Sequence, residues 1–203
     1  MPDLDYDAEA ARIAAELPRG PRVVIIGSSA FWHDQSLETS AALGKLLAGL
    51  PELVLITGGV GGAGESVGRA FDAAARARGS SAEVYHILPH HEFTWDYGRT
   101  LYAGQNMADR REVLGRLASL YIVIEGGPGT VHEARVALAR QAWILPIGWL
   151  GGCAGDLHAE LECPAGLDRA LWGCLGDPAS SPTDSAQAVW ELTRDLIERG
   201  ALA

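Results

Sequence analysis

The chain lacks an excess of basic residues, has few cysteines and contains no long apolar run, and each shortage removes a class of function. Its formal charge is −10 at pH 7. Such a surface repels the phosphates of nucleic acids and anionic membranes, so neither is expected as a partner and any phosphate site has to be local. The three cysteines, Cys153, Cys163 and Cys174, are odd in number and lack CxxC spacing. They suit neither a disulfide framework nor a zinc knuckle and read as reduced thiols. Residues 1–10 have neither the basic region nor the apolar core of a leader, and no span reaches membrane length, so a cytoplasmic location is expected.

Glycine is abundant instead, with 25 among 203 residues of which 48% are hydrophobic. That balance fits a globular α/β protein with many tight turns and argues against disorder. No linker long enough to separate two units is apparent, so one domain over residues 1–203 is expected.

Strand and helix patterns alternate along the chain. Helical character covers residues 7–17, 37–50, 65–78, 106–118, the stretch after the turn at 126–130 to about 140, and 185–199, the last capped by Thr183 or Asp184. Apolar runs at 22–26, 53–57, 83–88, 120–124 and 142–147 read as strands. Residues 90–104 are irregular and aromatic, 148–155 read as a glycine-rich loop, and 164–182 as short apolar turns. The rhythm predicts a doubly wound, mostly parallel sheet with helices on both faces, whose ligands lie at the carboxyl ends of the strands.

The most informative stretch is LYIVIE running into GGPGTVHE and then into a helix. Buried strand, glycine turn and helix N-terminus in succession gather free backbone N–H groups where a phosphate can sit. Glu133 is expected in the first turn of that helix, and a carboxylate beside an anion cradle points to chemistry on a phosphorylated sugar. Two other strand ends carry small-residue turns: Gly27, Ser28 and Ser29, and the series containing Gly58, Gly59, Gly61 and Gly62. With Gly126, Gly127, Gly129 and Thr130 they form three turns at one sheet edge, which turning alone explains poorly. Arg110 precedes the opening strand on a helical segment, where it can hold a phosphate or pair with Glu133. His90, His91 and Glu92 are adjacent in a loop and lack metal-ligand spacing, so no metal is expected. Cys153 and His158 lack a third partner. Trp32 and Trp95, with Phe31 and Tyr97, are candidates to stack on a base, although packing or a dimer interface is the plainer role.

MADRR at 107–111 followed by GGPGTVHE at 126–133 resembles the paired MxxRK and GGxGTxxE signatures of the LOG proteins, often labelled lysine-decarboxylase-like. The resemblance spans residues 22–147. It implies a Rossmann-like homodimer that hydrolyses the N-glycosidic bond of a nucleoside 5′-monophosphate, as in release of free cytokinin bases. Arg110 and Glu133 match the family's catalytic arginine and glutamate, Gly126, Gly127, Gly129 and Thr130 its phosphate loop, and Ser28 and Ser29 its first-strand GSS. No decarboxylase chemistry is implied, since no lysine is placed for a pyridoxal Schiff base, and no cofactor is expected.

Three departures stand out. Arg111 replaces the usual lysine, Glu125 stands where the family usually has proline, and TGGVGGAGESVG replaces a compact GGGxxGLMG loop. Glu125 is expected to bring negative charge to the phosphate site and to alter ligand choice. IEGGPGT and the second loop also resemble the broader SLOG superfamily, including N-terminal regions of melastatin-type TRP channels and bacterial nucleotide sensors. That resemblance implies an alternative without turnover: a nucleotide sensor for an ADP-ribose-like ligand, or a carrier like the related molybdenum-cofactor carriers.

Overall fold

A computed structural model of the chain describes residues 4–202. Strands β1 (Arg22–Gly27), β2 (Val54–Thr57), β3 (Val84–Leu88), β4 (Arg99–Tyr102), β5 (Leu120–Ile124) and β6 (Trp143–Ile147) form one sheet in the order β4-β3-β2-β1-β5-β6. Every neighbouring pair is parallel. The chain therefore builds outward from β1 to one edge, then returns to the other side of β1 to continue with β5 and β6. Connections leave β1 and β5 in opposite directions, which opens a crevice at their carboxyl ends.

The helices are α1 (Tyr6–Glu16), α2 (Ser36–Leu47), α3 (Ala63–Ala77), α4 (Met107–Leu114), α5 (Pro128–Ala139), α6 (Gly152–Glu160), α7 (Arg169–Gly176) and α8 (Pro182–Glu198). Side chains alternate across a strand, so consecutive residues enter different cores. Val23, Ile25, Ile122 and Ile124 pack with α2, α3, α7 and α8. Val24, Ile26, Tyr121 and Val123 pack with α1, α4, α5 and α6. Both faces are covered, which is why these strands read as unbroken apolar runs without a polar alternation. No helix among the described residues is long and apolar enough to cross a membrane.

Several local expectations are corrected. The aromatic stretch at 90–104 contains β4, reached from β3 in parallel without a crossover helix. Trp95 and Tyr97 take that helix's place: Trp95 Nε1 donates to the Gly59 carbonyl at 3.0 Å, Tyr97 donates to the Glu65 carbonyl at 3.3 Å, and Arg69 lies over both rings. The supposed loop at 148–155 contains a 3-10 turn, Gly148–Leu150, and the start of α6, while α7 occupies part of 164–182. The segment at 106–118 is helical only to Leu114. α8 starts earlier than expected, with Ser181 as N-cap in a reciprocal capping box with Asp184.

Beneath the second glycine turn, His86 is locked as a neutral ring. Thr57 Oγ1 lies 2.8 Å from His86 Nδ1 and accepts the Gly59 N–H at 3.2 Å, while His86 Nε2 lies 3.1 Å from the Tyr97 carbonyl. Nε2 is thus the donor and Nδ1 the acceptor, and burial lowers the ring's pKa from 6.5 to about 4. A depressed histidine pKa contributes stability that is present above the unfolded value and lost as pH falls toward the folded one. Acidifying from pH 7 to 4 should therefore cost at most about 3 kcal/mol through this group. Urea unfolding of the wild type and His86→Gln at both pH values checks it: the variant should show the smaller acid loss, and equal losses would remove His86 from the account.

Candidate functional site

A cavity of about 360 Å³ opens at the carboxyl ends of β1 and β5. Gly27, Ser28, Ser29, Gly58, Gly61, Gly127, Gly129 and Thr130 line it, together with Arg110 and Glu133. Three sequence-distant turns thus meet at one crevice. Gly59, Gly62 and Gly126 do not line it; all three have positive φ and shape the turns behind it. Gly126, at φ +105°, also lies so close to Thr130 that a Cβ would come within 2.6 Å of that side chain.

Of the three hydroxyls expected to face a phosphate, those of Ser28 and Thr130 take part in joining the turns, and Ser29 lines the cavity. Ser28 Oγ accepts the Gly126 N–H at 3.1 Å, and Thr130 Oγ1 donates to the Gly27 carbonyl at 3.1 Å. These bonds clamp the end of β1 to the β5–α5 turn. Thr130 uses its hydroxyl hydrogen in this way, whereas Ser28 only accepts and keeps its own; beside the clamp lies the start of α5, where Gly127 is the N-cap and Pro128 occupies the first turn. Proline removes one N–H that a helix start leaves unpaired, and the amides of Gly129 and Thr130 follow it at the cavity wall. Glu133 sits in the second turn of α5, not the first, because the helix already begins at Pro128. One further turn of helix carries its carboxylate down from the anion cradle toward the cavity floor.

Arg110 comes from α4 and is 2% exposed. Its Nε donates to the Ile87 carbonyl at 2.9 Å, one terminal nitrogen to the Gly58 carbonyl and the other to Glu133 Oε1. A Cβ on Gly58 would overlap the guanidinium, so glycine is needed there for close approach. The arrangement makes Arg110 an anchor that ties β3, the second glycine turn and Glu133 together through three of its five N–H donors. Burial pushes the Glu133 carboxyl above the usual carboxylate range, against the pull of Arg110 and Arg111; burial likewise lowers Arg110, which still carries its charge. Glu133 makes its ion pair through one oxygen and leaves the other for the cavity.

Arg111 is the cation that the sequence reading noted only as a replacement for lysine. It lines the cavity, with its guanidinium 2.9–3.1 Å from where a Cβ on Gly129 would lie. Adjacent arginines on one helix thus diverge, Arg110 into the interior and Arg111 toward the start of α5. Its place next to Arg110 in MADRR was the available signal.

Glu125 does not face the anion turn as expected. It is fully buried, and its carboxylate accepts the N–H of Trp32 and of His33 and the hydroxyl of Ser36. Of the aromatic candidates, Trp32 lines the cavity and is 61% exposed. Phe31, Trp95 and Tyr97 belong to the core packing. His90 and His91 lie in a turn away from the cavity, and burial pushes the Cys153 thiol up to about 11, which leaves it a poor nucleophile.

The parallel sheet with helices on both faces and a crevice at the reversal of strand order makes this a Rossmann-like α/β protein. Within that class the chain belongs to the SLOG cluster4 family, whose profile matches residues 21–163. The X-ray structure of TM1055 is similar with a TM-score of 0.63 at 21% identity, over 85% of this chain and 99% of that one. The molybdenum cofactor binding protein of the phototrophic bacterium Rippkaea orientalis gives 0.57 at 22%, over 85% and 97%. The Moco carrier protein from Chlamydomonas reinhardtii gives 0.50 at 23%, over 62% and 75%. At such identities the likeness is one of fold. Among curated proteins, none matches the sequence.

Proposed function

We propose that the cavity binds a nucleoside 5′-monophosphate and that the protein hydrolyses its N-glycosidic bond, giving the free base and ribose 5-phosphate. The observation that carries this reading is the position of Glu133, one oxygen held by Arg110 and the other left for the cavity next to the α5 cradle. The amides of Gly129 and Thr130 and the Arg111 guanidinium receive the 5′-phosphate. Glu133 then stabilises positive charge developing at the anomeric carbon and orients the water that attacks it. Arg110 keeps the carboxylate in place without touching the ligand.

The direct test is incubation of the purified protein with AMP and with cytokinin monophosphates, followed by chromatography for free base. Release of base with an equal amount of ribose 5-phosphate supports the reading, and intact nucleotide after long incubation sinks it. Replacing Arg111 with alanine should weaken AMP binding about ten- to a hundredfold, the worth of a charge-assisted contact to phosphate. Calorimetry measures this, and unchanged affinity would remove Arg111 from the phosphate site.

A second reading is binding without turnover, as a nucleotide sensor or a carrier. The three protein contacts that hold Arg110, one on each guanidinium nitrogen, favour it, because the Arg110–Glu133 pair can then serve as a structural floor. The named function of the Rippkaea and Chlamydomonas proteins gives the carrier form its chemistry. Calorimetry with AMP, ADP-ribose, cyclic ADP-ribose and pterin ligands separates the readings: a ligand bound tightly and recovered intact supports the carrier or sensor.

A further inference from the structure

The buried charge that the proposed reaction does not use is that of Glu125. It stands one residue before the anion turn with its backbone at φ +52°, a conformation uncommon outside glycine. Two sets of contacts hold it there. The side chain accepts the Trp32 N–H at 3.2 Å from either oxygen, the His33 N–H at 2.9 Å, and the Ser36 hydroxyl. Its carbonyl accepts the Ala154 N–H at 3.0 Å from the first turn of α6. Hydrogen bonds to an ionised acceptor are the stronger kind, and here they converge on one short segment, residues 32–36.

That segment carries Trp32 to the cavity rim. The backbone of Trp32 is fixed through its N–H, and the His33 ring stands edge-on to Trp149 with centroids 5.1 Å apart. The indole itself remains 61% exposed while lining the cavity, with one ring edge close against Gly152, so it is held from the backbone and along that edge with its face left open. A large aromatic face kept at the mouth of a polar cavity is suited to a planar ring, for which stacking supplies affinity with little dependence on ring identity.

We infer that Glu125 is a positioning residue, which fixes residues 32–36 so that Trp32 forms the stacking face for the planar ring of a ligand whose anionic group lies at the start of α5. This rests on the nucleotide reading above and goes beyond it in assigning the ring's contact and the group that holds it. The carboxylate acts through the loop and does not meet the ligand.

The test compares AMP with ribose 5-phosphate on the full chain, in the wild type, Glu125→Gln, Glu125→Ala and Trp32→Ala, by calorimetry. The wild type should prefer AMP about tenfold or more, the worth of one stacked base. Trp32→Ala and Glu125→Ala should each bring that preference close to one while ribose 5-phosphate affinity stays within about twofold. Glu125→Gln, which keeps an acceptor oxygen, should fall between, and it carries the test if the alanine variant does not fold. A preference unchanged in the glutamine variant, or equal losses for both ligands, overturns the inference.

Amide exchange at Trp32 and His33 separates this inference from the nucleotide reading. If the wild type binds neither compound, the nucleotide reading and the stacking role fail together. Exchange at those two amides about tenfold faster in Glu125→Gln would still establish the hold on the loop, and unchanged exchange would overturn that as well.

Discussion

Replacing Glu133 with glutamine should lower the rate of base release from AMP by about 10²–10⁴-fold, the usual worth of a positioned catalytic carboxylate. Glutamine keeps the volume and an oxygen for Arg110 but cannot carry the negative charge that a developing oxocarbenium requires. AMP affinity should change little, because the phosphate is received on α5 and Arg111, away from the substituted group. The pH profile gives a second readout. Burial raises the Glu133 pKa, so the carboxyl stays protonated above the usual carboxylate range and ionises only as pH rises further. If the ionised form is the working one, base release climbs with pH through that raised window and the climb is absent in the variant. Equal rates for wild type and Glu133→Gln would show that the carboxylate has no part in the chemistry.

Replacing Arg110 with methionine should destabilise the fold by about 3–5 kcal/mol at pH 7, because it leaves a buried carboxylate without its cation. The carbonyls of Ile87 and Gly58 also lose the donors that now satisfy them. Without the guanidinium the Glu133 carboxyl protonates more readily, so part of the deficit should be recovered as pH falls toward the carboxylate range. The double variant Arg110→Met, Glu133→Leu should be more stable than Arg110→Met alone, since no unpaired charge remains. Urea unfolding across pH 5–8 measures all three chains. A loss below about 1 kcal/mol for the single variant would contradict the burial of a charged pair at this place.

The central strands could be read from sequence because each is enclosed on both faces. β1 and β5 are apolar runs that end at turn-forming residues, a pattern that needs no tertiary information. β4 was hidden because Arg99–Tyr102 is a short edge strand with one buried residue, set in an aromatic stretch whose role emerges only against α3. α6 was hidden because glycine stands at its N-cap, Gly151, and at Gly152 and Gly155 in its first turn, which local propensity assigns to a loop.

The site divides in the same way. Small residues at strand ends marked where the crevice would form, and the pairing of Arg110 with Glu133 followed from the order of two motifs. Whether a side chain points into the crevice was not written locally. Arg110 and Arg111 both reach the cavity but meet different partners there, and Glu125 finds its partners about ninety residues away in sequence. Ser28 and Thr130 both have hydroxyls suited to a phosphate, yet Thr130 donates its hydrogen to Gly27 while Ser28 only accepts from Gly126.

The amides at the start of α6 have a consequence for anyone moving this site to another protein. Cys153 N–H binds the Gly126 carbonyl at 2.7 Å, beside the bond from Ala154 to Glu125. A fragment cut after β6 would retain both signature motifs and lose the two donors that hold the anion turn from behind. A transplanted unit therefore has to reach at least into α6, and α7 and α8 beyond it are still needed to cover one face of the sheet.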